Sequence, residues 1–203
     1  KQFVSKLQPD LSGYVYSTVY GAPRAVPNIS PVAFLVDRCE NIYVSGWGGA
    51  LNPCFPSDCF DAQTSGPLGM PITPDAIKSN TDNRDFYFIV IEKDAASLLY
   101  GSYFGQQGGE GDHVDGGTSR FDKRGAIYTA ICANCLGNTC NFTSPLPTTP
   151  GAVSPVNGAA NSGTGGDCNL AAVKIQFEFQ GVIAGVQAGV DGVPYDTSGC
   201  APL

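Results

Sequence analysis

The residues best placed to do chemistry lie in one short run, Gly111-Asp112-His113-Val114-Asp115-Gly116-Gly117. It holds the chain's only histidine between two aspartates. Asp112, His113 and Asp115 crowd three oxygen or nitrogen ligands into one loop. The aspartates would offer hard oxygens to calcium, and the glycines would let the loop curl round the ion. An EF-hand does not fit, because no Asp-x-Asp-x-Asp-Gly run is followed by a glutamate at the required distance. The competing reading is a loop whose Asp and His side chains hydrogen-bond backbone groups.

Nucleophilic catalysis needs a base held against a Ser, Thr or Cys. Ser119 is the hydroxyl nearest His113 in sequence, but no Gly-x-Ser-x-Gly elbow surrounds it. The carboxylate pairs Asp58 with Asp61 and Asp82 with Asp85 fit glycosidase chemistry only if they face each other across a cleft, and solvated loop carboxylates explain them as well. No catalytic constellation emerges, and the chain is expected not to be an enzyme. Trp47, in the Gly-rich stretch Ser45-Gly46-Trp47-Gly48-Gly49, has two readings, an exposed platform for a sugar or packing between sheets.

The chain has 8 cysteines in 203 residues, a usage that a reducing compartment rarely supports without metal. Cys132, Cys135 and Cys140 fall close together and Cys168 precedes the next apolar run, so four thiolates are a possible zinc set. The second Cys-x-x-Cys of a zinc ribbon is missing, which favours disulfides. Cys54 and Cys59 bracket a loop that a bridge would close, while Cys39 and Cys200 have no assigned partner. Export follows from this reading. The first residues, Lys1 to Leu7, contain no apolar signal core, so targeting information is expected outside this segment. No apolar run approaches the roughly 18 residues of a membrane span.

Composition restricts the elements that carry these residues. The chain has 26 Gly and 15 Pro, with charged residues at 14%, and its aromatics are mostly Tyr and Phe. Gly and Pro interrupt helices while Tyr, Phe, Val and Ile favour strands, so the fold class is expected to be all-β. A net charge of −7 supplies no electrostatic footprint for nucleic acid or anionic lipid.

The chain also repeats itself. Gly13-Tyr14-Val15-Tyr16-Ser17-Thr18-Val19-Tyr20-Gly21 returns as Leu98-Leu99-Tyr100-Gly101-Ser102-Tyr103-Phe104-Gly105, with Tyr16 to Tyr100 and Gly21 to Gly105 each 84 positions on. Phe34-Leu35-Val36-Asp37 with Ile42-Tyr43-Val44 returns as Arg120-Phe121-Asp122 with Ile127-Tyr128-Thr129 at 85. Pro71-Ile72-Thr73-Pro74 corresponds to Pro147-Thr148-Thr149-Pro150, and Ala171 to Ile175 lies 84 after Tyr87 to Ile91. Each unit holds four short strand candidates, with Asn41 and Gly125 expected at the positive-φ positions of tight hairpins. Four antiparallel strands per unit predict a β-propeller blade. The chain then divides into a partial blade at 2–21, a blade at 33–105 and another at 118–184, all within a propeller-like region 1–185. About two and a half blades do not close a ring, so a larger propeller or an open β-array is expected.

Three blocks carry a family resemblance: Ile29 to Asp37, Ile42 to Gly49, and Asp112-His113-Val114-Asp115-Gly116-Gly117-Thr118-Ser119-Arg120-Phe121-Asp122. Cys132-Ala133-Asn134-Cys135 and Cys168-Asn169-Leu170-Ala171 complete it. They resemble the beta-propeller repeats of large gliding-motility-associated and adhesin-like surface proteins of Bacteroidetes, exported by the type IX secretion system. Gly199-Cys200-Ala201-Pro202-Leu203 looks like the opening of an Ig-like PKD domain, with 186–203 as linker and domain start. The resemblance implies an extracellular structural or adhesive segment of a large cell-surface or secreted protein, without catalytic residues. Its partners would be neighbouring domains of the same long chain, other copies of it in a filament or oligomeric assembly, or surface glycans. The alternative is a ligand-binding propeller that takes carbohydrate or calcium in its inter-blade loops. No cofactor is expected beyond that calcium.

Overall fold

The computed structural model describes residues 2–23, 27–48, 66–108, 111–114, 119–122, 125–134, 144–155 and 168–177. These form nine strands: β1 (Gln2–Leu7), β2 (Tyr14–Tyr20), β3 (Ser30–Val36), β4 (Ile42–Trp47), β5 (Phe86–Ile91), β6 (Leu98–Phe104), β7 (Arg120–Phe121), β8 (Ile127–Ala133) and β9 (Asn169–Ile175). The only helical turn among the described residues is a 3₁₀ turn, Lys93–Ala95. Every pairing is antiparallel, in sheets ordered β1-β2, then β3-β4-β5-β6, then β7-β8-β9. The all-β class holds. No closed barrel or propeller forms among the described residues, so the units are seen as three stacked sheets.

The β3-β4 turn shows why the repeat keeps its Asp and Tyr. Asp37 Oδ1 accepts the backbone N–H groups of Cys39 and Asn41 at 2.8 Å each, while Oδ2 accepts Asn41 Nδ2 at 3.1 Å and the Tyr43 hydroxyl at 3.0 Å. The carboxylate satisfies donors that a tight turn would otherwise strand. At the β7-β8 turn, Asp122 repeats part of this by accepting Ala126 N–H at 3.1 Å and the Tyr128 hydroxyl at 3.5 Å. The positive-φ residues are Glu40 (φ 64°) and Gly125 (φ 80°), 85 apart. Glu40, not Asn41, therefore takes the left-handed position, and Asn41 spends its side chain on Asp37. Asp37→Ala is expected to cost about 2–4 kcal/mol, since it removes the acceptor for four donors at once. Asp122→Ala should cost less, and chemical denaturation of the two variants measures the difference.

The repeat extends to irregularities. The register between β1 and β2 shifts at Lys6/Leu7, and that between β5 and β6 shifts at Val90/Ile91, 84 positions on. Bulges are local designed features, so the shared position marks a shared backbone plan.

Two apolar layers join the sheets. Ile42, Val44, Tyr87, Ile89, Ile91 and Tyr103 form one face of the middle sheet, covered by Val4, Tyr16 and Tyr20 of the β1-β2 hairpin. Tyr43, Trp47, Phe86, Phe88, Val90, Tyr100 and Phe104 form the other, packed on Ile127, Ile131, Ala133, Ala171, Val173 and Ile175 of the third sheet. Phe177 anchors this layer, with its ring centroid 5.1 Å from Tyr100 and 6.0 Å from Phe88. β4 and β5 are buried along their whole length because both faces are covered. β5 therefore reads as a continuous apolar run and β4 as one broken only by Ser45 and Gly46, whereas β8 and β9 alternate. The outer edge of β6 is shielded by the Pro71 to Lys78 segment, where Thr73 N–H donates to Gly101 O at 3.0 Å and Tyr103 N–H to Lys78 O at 3.1 Å.

Candidate functional site

The same Pro71 to Lys78 segment delivers Lys78 into a buried ionic cluster between the start of β5 and the end of β6. Its ammonium donates to Asp85 Oδ1 at 2.6 Å, to Gln106 O at 2.9 Å and to Gly105 O at 3.2 Å. An ammonium has three protons, so all are used. Asp85 is fully buried and Asp112 is 1% exposed. Asp112 Oδ2 accepts Gln106 N–H at 2.6 Å, and its own N–H donates to Arg84 O at 3.1 Å. Asp82 closes the group by accepting Arg84 N–H at 2.9 Å and Gly108 N–H at 2.5 Å. A Cβ on Gly105 would collide with both the Asp85 and the Asp112 carboxylates, so only glycine admits the pair.

Burial governs the charges here. It pushes the Asp85 carboxyl up to about 6, opposed by the Lys78 hydrogen bond. It pushes Asp112 up to about 8, opposed by the Gln106 amide and reinforced by the Asp85 charge. The atoms Asp85 Oδ2 and Asp112 Oδ1 are buried without a hydrogen-bond partner.

The preceding repeat explains Asp112. Asn28, 84 positions earlier and 1% exposed, accepts Ala22 N–H at 3.0 Å through Oδ1 and donates from Nδ2 to Gly66 O at 3.0 Å. Ala22 and Gln106 are likewise 84 apart, and a Cβ on Gly21 would strike Asn28 as one on Gly105 strikes Asp112. The position calls for an acceptor toward the backbone amide and a neutral group. A protonated carboxyl is the acidic isostere of Asn28, which agrees with the raised Asp112 value.

The residues singled out from sequence are thus separated. Asp112 turns into the Lys78 cluster. His113 exchanges backbone hydrogen bonds with Cys132, at 3.2 Å and 2.9 Å, and sets its ring 5.9 Å from that of Trp47. Asp115 lies outside the described residues. Among the described residues no group of three or more His, Cys, Asp or Glu side chains is arranged to hold a metal ion. At Asp85 the place of a cation is taken by the Lys78 ammonium. Trp47 is 8% exposed within the apolar layer, so it packs between sheets and presents no sugar platform. Ser119 Oγ is buried and hydrogen-bonded to Thr129 Oγ1 at 2.6 Å, and the Asp82 and Asp85 carboxylates serve loop amides and Lys78.

Among the cysteines, Cys39 and Cys168 are disulfide-bonded, and Cys132 exchanges backbone hydrogen bonds with His113. Cys54, Cys59, Cys135, Cys140 and Cys200 lie outside the described residues. Cys39 sits in the turn whose Tyr43 meets Phe177, beyond the far end of β9 from Cys168. Seven strand residues span roughly 23 Å, far more than a disulfide bridges, so the two cysteines belong to separate bonds. Reduction is expected to destabilise the fold by about 2–4 kcal/mol per bond, read as a drop in Tm when reductant is added.

Comparison with known protein families, curated proteins and solved structures finds no match. The cluster around Lys78 escaped sequence reasoning, although its signal was present: Asn28 and Asp112 keep the 84-residue spacing that relates Gly21 to Gly105.

Proposed function

We propose that the chain is a non-enzymatic structural or adhesive segment of an extracellular or cell-surface protein, built from sheet units that serve as rigid spacers. The carrying observation is where the chemistry-bearing side chains are spent. The Lys78, Asp85 and Asp112 side chains fasten a loop to the middle sheet, and Ser119, His113 and Trp47 lie in contacts between elements. The stacked sheets, bonded through long apolar layers, support a load-bearing or platform role. The bonded cysteines support an oxidising compartment. On this reading the units are propeller-type blades of a surface protein of the Bacteroidetes kind, with neighbouring modules or copies as partners.

The test is surface shaving. Intact cells expressing the native protein are treated with protease, and the fragment is followed by antibody with thiol status determined in parallel. Loss of signal from whole cells with oxidised cysteines is the expected result. Protection until lysis, with all cysteines reduced, would overturn the proposal.

A further inference from the structure

Lys78 and Asp85 meet under conditions that favour more than an ion pair. Lys78 Nζ stands 2.6 Å from Asp85 Oδ1, with the lysine side chain 17% exposed and the aspartate side chain fully buried. A nitrogen in contact with a carboxylate oxygen lies within attacking range of the carboxyl carbon one bond away. Burial disfavours the charged carboxylate, and it pushes Asp85 up to about 6. A proton that crosses the hydrogen bond therefore leaves an amine and a carboxylic acid in contact, away from bulk water.

A third group is placed to carry protons. Asp112 is buried and its Oδ1 has no hydrogen-bond partner, while a single Cβ on Gly105 would touch its carboxylate and that of Asp85 together. Burial holds its carboxyl up at about 8, so it keeps its proton at neutral pH. Fastening the loop makes no use of that proton. The repeat sets the Lys78 and Asp85 pair apart as well. In the third unit Ser154 stands 76 positions after Lys78, as Pro147 stands after Pro71, and Asn169 stands 84 after Asp85. The amine and the carboxylate are thus present together in the middle unit and replaced together in the third.

We infer that Lys78 and Asp85 condense after folding into an intramolecular isopeptide bond, with Asp112 as the proton carrier. The Nζ lone pair adds to Asp85 Cγ, and the carbonyl π electrons move onto oxygen. As that pair returns, the Cγ–OH bond breaks. Asp112 gives a proton to the departing oxygen, which leaves as water, and takes one back from the nitrogen. One amine and one carboxylic acid give one amide and one water, so the step needs no oxidant or cofactor. The remaining Nζ–H keeps Gln106 O and Gly105 O as acceptors, at 2.9 and 3.2 Å. The product ties the Pro71 to Lys78 segment covalently to the head of β5 and leaves Asp112 as buried as before. The inference goes beyond the scaffold reading and does not depend on it. Absence of the bond would leave that reading standing, and a cytoplasmic chain would carry the bond all the same.

Intact-mass spectrometry of the folded chain, with its disulfides then reduced, tests it together with tryptic mapping. The mass should fall short of the sequence by one water. Lys78 should resist trypsin, and the peptide ending at Arg84 should be found joined to Asp85–Lys93. Lys78→Arg keeps a cation at this place but offers no amine to condense, so it should show the full mass. Should that variant fold poorly, the joined peptides of the parent decide the matter alone. In cell-free synthesis sampled over time, Asp112→Asn should form the bond several-fold more slowly than the parent and still reach completion. A parent of full mass would overturn the inference. So would a loss of water that persists in Lys78→Arg, or one confined to Asp85 without a joined peptide, which is a succinimide. Equal rates in the parent and Asp112→Asn would remove Asp112 from the step.

Discussion

Asp112→Asn should make the protein markedly more stable than the parent at pH 8 and nearly equal to it at pH 4. Burial holds the Asp112 carboxyl up at about 8 in the fold, well above the ordinary carboxylate range of the unfolded chain. The folded state thus holds a proton that the unfolded chain has released over that window. Stability from this group is full below about pH 4, falls as the pH rises, and is lost once the folded value is passed. At about 1.4 kcal/mol per pH unit the window amounts to several kcal/mol. Asp85, at about 6, adds a fall of the same sign. The charged groups acting on Asp112 are Asp85, Lys78 and Asp82, and none changes that sign. The neutral amide already works at Asn28, so Asp112→Asn keeps the bond to Gln106 and removes the titration. Thermal melts of both proteins from pH 4 to 9 give the comparison, and parallel curves would refute the assignment.

The second large effect is expected at Gly105. Gly105→Ala drives a methyl group into two buried carboxylates that Lys78 and Gln106 hold in place. The neighbours cannot give without breaking that cluster, so a loss of roughly 3–5 kcal/mol is expected. Gly13→Ala, where nothing lies within 4 Å, should stay within about 0.5 kcal/mol of the parent. Urea titration of the pair separates a specific collision from a general cost of replacing glycine.

These effects show how far the sequence could be read. The strands were legible because Phe34 to Asp37 and Ile42 to Val44 recur at a fixed offset with a turn between them, and the turn's aspartate proved to be its organiser. The stacking order was not legible, since β4 and β5 are apolar on both faces and no alternation tells inside from outside. The loop after Asp112 read as a cation site because Asp, His and Asp crowd one stretch. In an extended backbone neighbouring side chains point apart, which sends Asp112 to Lys78 and His113 to Trp47. Lys78, seven residues before Asp85, carries no motif, and only the packing of its loop on β6 brings the two together.

Each sheet buries a face that its neighbour covers, and the β1-β2 hairpin closes the middle sheet. Tyrosine nitration mapped by peptide mass reads this directly. In the folded chain Tyr14 should be modified, while Tyr87 and Tyr103 stay protected beneath Val4, Tyr16 and Tyr20. Nitration of Tyr87 and Tyr103 as readily as Tyr14 under native conditions would contradict it.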